Sequence, residues 1–211
     1  MLSITVCIDE TEEGTMYWFM KAELKCAYEA AENVLKKINC TYDTLVDTTT
    51  IMDAVENITG YDIKFSQIDF LELAKQSGMD ALSSCGAALY ADSNSKNALI
   101  MINSKENIKM QRFSLVHELG HLMLSNMFKG DGFEFSAHIN MDITSIPEAL
   151  WQNDETLKNE QLANVFALLV LIPDKALLNA LGKYDSLDDI SHVFGLEKDA
   201  LLSRIQLGVG Q

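Results

Sequence analysis

The pentapeptide His117-Glu118-Leu119-Gly120-His121 constrains the chain more than any other feature. It lies inside an apolar run that includes Phe113, Leu115, Val116, Leu119, Leu122 and Leu124, so the segment reads as a buried helix. On a helix, residues i and i+4 share a face one turn apart, and both imidazoles can reach one metal ion. Glu118 is offset by one residue and stands beside the pair. Two neutral imidazoles plus a carboxylate suit zinc with one coordination position left for water. A metal so held acidifies that water, and the neighbouring carboxylate can accept its proton. Two of the chain's four histidines fall in this motif. Gly120 costs about 1 kcal/mol of helix propensity against Ala. Its presence predicts a close neighbour, such as a sheet edge or a substrate.

A third ligand must come from elsewhere. A third histidine at the spacing H-E-x-x-H-x-x-G-x-x-H is excluded, because Leu124 and Met127 occupy those positions. The favoured candidate is Glu160, which stands at i to Asn164 on a helix with Leu162, Val165, Phe166 and Leu169. Asn164 is then placed to hydrogen-bond a ligating histidine and fix its tautomer. Glu134, His138, Asp142 and Glu155 are competitors. Tyr90, His138, His192 and Arg204 are candidate donors to a developing oxyanion.

Sixteen Lys and Arg against 31 Asp and Glu give a net charge of −15. Such a surface repels phosphate backbones and argues against direct nucleic-acid binding; a basic protein partner fits it better. The four cysteines, Cys7, Cys26, Cys40 and Cys85, form no C-x-x-C pair and read as reduced thiols. The longest apolar stretch, Val165 to Ile172, is far short of the roughly 20 residues that span a bilayer. The N-terminus lacks a signal-peptide pattern, so the expected location is the cytoplasm.

Periodicity places helices over Met16–Ile38, Thr49–Ile58 and Phe70–Gln76, then a longer one over Lys105–Met127 capped from Asn103 or Ser104. Strands are expected at Tyr61–Phe65, Cys85–Ala91 and Ala98–Ile102, the last two forming a hairpin. Residues 130–156 are expected to be irregular. A further helix is expected at Glu155–Leu171, and two or three short ones within Asp174–Leu181, Leu187–Phe194 and Glu197–Leu207. This order indicates an α+β fold, a small, mostly antiparallel sheet packed on a helical bundle. The expected organisation is one domain over 1–211. Residues 1–15 are a flexible or strand start, 16–80 a helical part, 81–173 the core with the motif, and 174–211 a C-terminal helical part.

The stretch Arg112-Phe-Ser-Leu-Val-His117-Glu-Leu-Gly-His121-Leu-Met-Leu, followed by Glu160-Gln-Leu-Ala-Asn164-Val-Phe-Ala-Leu-Leu-Val-Leu-Ile-Pro173, resembles the ImmA/IrrE family of zinc metallopeptidases. The lead-in Met101-Ile-Asn-Ser and the tail Ile190 to Arg204 are similar too, so the resemblance covers about 85–207. It differs at Leu162, where an acidic residue is common, and in a long 122–159 connection that suggests a distinctive substrate loop. The resemblance implies a zincin-like, gluzincin-type fold and one zinc per chain. It also implies a narrow endopeptidase that cleaves a helix-turn-helix repressor in a mobile element or stress response. The alternatives are a metal-binding anti-repressor that sequesters its partner without cutting it, and a hydrolase of other small amides or peptides.

Overall fold

The computed structural model describes residues 14–39, 45–78, 80–128, 133–139 and 155–208. The elements are α1 (Gly14–Lys37), α2 (Thr48–Thr59), β1 (Asp62–Ile68), α3 (Phe70–Ser77), β2 (Cys85–Asp92), β3 (Asn97–Asn103), α4 (Ile108–Phe128), β4 (Phe133–Ile139), α5 (Glu155–Leu171), α6 (Asp174–Lys183), α7 (Leu187–Phe194) and α8 (Lys198–Gln206). A 3₁₀ turn, Asp80–Ser84, leads into β2. The fold is α+β and zincin-like, as expected. The strand start expected within residues 1–15 lies outside the described residues.

Local chemistry sets the boundaries. Asp47 caps α2 by accepting from the Thr50 amide at 3.1 Å. Gly60 ends α2 with φ of +76°, a left-handed conformation that costs glycine no Cβ clash. The carboxylate of Glu56 then accepts from the Ile63 amide at 2.8 Å and ties α2 to β1. The start of α4 corrects the expected cap. Asn103 Oδ1 accepts from the Lys105 amide and closes a turn, while Asn107 Oδ1 accepts from the amides of Lys109 and Met110. The helix therefore begins at Ile108, three residues later than its periodicity suggests.

The sheet runs in the order β1-β3-β2-β4. β2 is antiparallel to β3 and to β4, and β1 is parallel to β3. β4 corrects the expectation of an irregular 130–156 region: Phe133, Phe135, Ala137 and Ile139 alternate with Glu134, Ser136 and His138, which is strand periodicity. Ala87, Leu89, Ala91, Ile100 and Ile102 lie in the main core with Phe113, Val116 and Leu119 of α4. The opposite face of the sheet, at Ala88, meets Phe70 and Ala74 of α3.

α5 is the central helix. Every residue from Gln161 to Pro173 is buried, and α1, α4 and α8 pack along it. A helix enclosed on all sides needs no polar face, which explains its apolar run. Among the described residues no single helix is long and apolar enough to cross a membrane.

Gly120 is where α4 and α5 come closest. A Cβ there would stand 2.9 Å from Phe166 Cδ1 and 3.2 Å from both Cα and O of Ala163. The close neighbour expected from the sequence is thus the Glu160 helix, not a sheet edge or substrate. We predict that Gly120→Ala lowers stability by about 1–3 kcal/mol through overpacking, despite the roughly 1 kcal/mol that Ala gains in helix propensity. A thermal or urea melt checks this, and an unchanged or raised midpoint would contradict the close-packing account.

Candidate metal centre

His117 and His121 project from one face of α4 toward α5. The close approach at Gly120 brings Glu160, in the second turn of α5, within reach of both. Their three ligand atoms lie within 4.8 Å of one another. Glu160 Oε2 is 3.2 Å from His117 Nε2, Glu160 Oε1 is 3.2 Å from His121 Nε2, and the two Nε2 atoms are 3.1 Å apart. Three N and O ligands at 2.0–2.1 Å around a tetrahedral ion would be about 3.3–3.4 Å from one another. The triangle is close to that size.

The donor set also carries the right protonation. His117 Nδ1–H donates to Asn164 Oδ1 at 2.7 Å. In the neutral ring this leaves the Nε2 lone pair facing Glu160 and His121. Asn164 is itself oriented through its Nδ2–H, which donates to Gln161 Oε1 at 3.4 Å. The expected partnership of Asn164 with a ligating histidine is present.

Glu118 is the electrostatic outlier. It is wholly buried, and neither carboxylate oxygen has a hydrogen-bond partner among the described residues. An unpaired buried carboxylate is costly. Burial raises its pKa from 4.5 to about 8, with His121 lowering it and Glu160 raising it. A divalent cation held by the adjacent cluster would supply the missing counter-charge, so the residues present fit such an ion. Ser114, not among the residues expected from the sequence, lies one turn before Glu118 on the same face, and its Oγ is also buried without a partner among the described residues. The available signal was a hydroxyl in an otherwise apolar run at i−4 from Glu118. Burial, and then the charge of Glu118, push up the pKa of the Cys85 thiol.

Solvent reaches the cluster from one side. The side chains of His121 and Glu160 are 11% and 14% exposed, whereas that of His117 is fully buried.

Three of the other candidates, Arg204, His192 and Tyr90, separate from this site. Arg204 is buried at the chain's other end, where it donates from Nε to the Ile172 carbonyl, from Nη1 to the Gly208 carbonyl, and from Nη2 to Asp174. It locks α8 onto the α5–α6 junction and is no oxyanion donor. His192 lines a groove on the opposite side of α4. Tyr90 is exposed and alternates with Leu89 and Ala91, which face α4, so it stands on the sheet's other face. Glu134 and His138 lie on β4, with His138 paired to Ala87 in register. Asp142 lies outside the described residues, and Glu155 opens α5.

The shift at Glu118 makes a prediction for the metal-free protein. The folded state keeps this proton to about pH 8, while the unfolded chain loses it near 4.5. Its contribution to stability is complete below 4.5 and lost as pH rises through 8. Glu118→Gln should therefore match the wild type near pH 5 and exceed it above pH 8, by on the order of a few kcal/mol. Adding a divalent cation should shrink that gap. Urea melts at both pH values check this, and a gap that does not vary with pH would contradict it.

No curated protein matches the chain closely enough to stand as a relative. The family model described as the IrrE N-terminal-like domain, a peptidase family, matches residues 79–206. That span holds α4, α5 and every member of the cluster. The chain belongs to this ImmA/IrrE-type family of metallopeptidases.

Proposed function

We propose that the chain is a zinc-dependent endopeptidase that cleaves one basic helix-turn-helix repressor, in the cytoplasm of a cell carrying a mobile element or mounting a stress response. The observation that carries the peptidase reading is Glu118. A site built only to hold a metal needs no second carboxylate beside its ligands, and a structural zinc site normally has four protein ligands, often cysteines. Here a buried carboxylate stands beside a three-residue cluster without a partner among the described residues. The net charge of −15 supports a basic substrate, since opposite fields speed encounter.

In this mechanism His117, His121 and Glu160 hold the ion. Bound there, zinc would supply a Lewis acid that polarises the scissile carbonyl and acidifies water. Asn164 keeps the His117 proton on Nδ1, so that Nε2 remains a ligand. Glu118 takes the proton from the attacking water and delivers it to the leaving amine nitrogen. Its burial keeps bulk water from competing for that proton. The substrate enters from the side on which His121 and Glu160 are exposed.

Co-expression with a repressor encoded beside the gene tests this reading. Glu118→Gln should keep its zinc and slow cleavage at least about a hundredfold; cleavage at the wild-type rate would remove Glu118 as the base. Glu160→Ala should lose most of its zinc, and full occupancy would move the third ligand elsewhere. Derepression that survives a chelator and leaves no fragments would replace cleavage by sequestration.

A further inference from the structure

A groove of about 520 Å³ opens on the side of α4 away from the metal cluster. Leu115 lines it, and His117 follows two residues later, about 200° around the helix. The groove lies between the first turns of α2 and α4, the end of β1, and α7. Its walls carry Met52, Phe65, Ile108 and Leu115, of which Phe65 and Ile108 are 43% and 75% exposed. A concavity of this size lined by large apolar groups can take up a ligand of matching shape.

The charge of the groove opposes that of the protein. The chain carries −15 overall, yet none of the described residues lining the groove is acidic, while Lys109, Arg112 and His192 are among them. The N-termini of α2 and α4, at Thr48–Thr49 and Ile108–Lys109, both open onto it and add positive helix ends. Asp47 offsets part of this field at α2, where its carboxylate caps the helix. Arg112 is incompletely served. Its Nη2 donates to the Val46 carbonyl at 2.7 Å, and its Nε is buried with no acceptor among the described residues. Asp47 is the acidic group whose charge acts on Arg112, but its carboxylate is engaged by Thr50 and does not line the groove, so a carboxylate bound in the groove would meet this guanidinium directly.

We infer that this groove is a second binding site, distinct from the metal centre, for a small amphipathic carboxylate. Its apolar body lies on Met52, Phe65, Ile108 and Leu115, and its head group faces Arg112 and Lys109.

Decanoate and decanol, titrated by calorimetry into the zinc-loaded protein, test the assignment. Decanoate should bind once per chain, and decanol about tenfold or more weaker, because a charge-assisted contact is lost. Lys109→Glu should weaken decanoate about tenfold and leave decanol unchanged. Thr49→Trp, at an exposed helical position on the groove wall, should weaken both by filling the space. Both variants must keep wild-type zinc content and melting temperature, which separates loss of this site from loss of the metal centre. Equal affinity for decanoate and decanol would overturn the inference. So would decanoate binding that neither variant changes, which would place the carboxylate on the metal, or no binding up to the solubility limit.

Discussion

The contact between Gly120 and Ala163 governs the rest of the site. Two helices can approach this closely only where both present small residues, and here a single Cβ would meet Phe166 Cδ1 at 2.9 Å and crowd the Ala163 backbone at 3.2 Å. That separation decides whether a glutamate in the second turn of α5 reaches two imidazoles on α4. With the helices further apart, Glu160 would lose its 3.2 Å approaches to both histidines. The site depends on packing first and on ligand chemistry second. From Gln161 onward α5 is buried on all sides, so its position is fixed by α1 and α8 as well as by α4.

Burial then differentiates four polar groups that lie within two helical turns. His117 is enclosed and tied to Asn164, which assigns its proton. His121 and Glu160 sit at the solvent side. Glu118 is enclosed and without a partner among the described residues, which makes it the group most sensitive to an arriving cation. A cation held by the cluster would offset the unpartnered burial of Glu118, so binding would recover a cost that the folded metal-free protein carries.

Much of this was legible in the sequence because it is local. The i, i+4 spacing of His117 and His121 and that of Glu160 and Asn164 each follow from one helix. Their meeting is a tertiary fact, announced only by Gly120, and the sequence could not say whether sheet, substrate or helix filled the space. β4 was missed although its alternation is complete, because Gly130, Gly132, Pro147 and the acidic residues around them in the sequence drew attention from seven residues of period two. The start of α4 was misplaced because Asn103, Ser104 and Asn107 are all competent caps, and only the backbone path from β3 selects Asn107. Arg204 and His192 are polar residues whose sequence context does not reveal whether they face a site, a core carbonyl or a groove. The pairing of β1 with β3 was equally hidden, since a parallel partner across an intervening hairpin strand leaves no local trace.

The central claim is that three side chains from two packed helices grip one divalent ion. Zinc titrated into metal-stripped wild-type protein tests it most directly, followed by X-ray absorption to identify the ligand atoms. The account predicts one ion per chain, with two imidazole nitrogens and carboxylate oxygen at the distances typical of zinc. A folded protein that refuses the ion, or holds it without histidine, would contradict it.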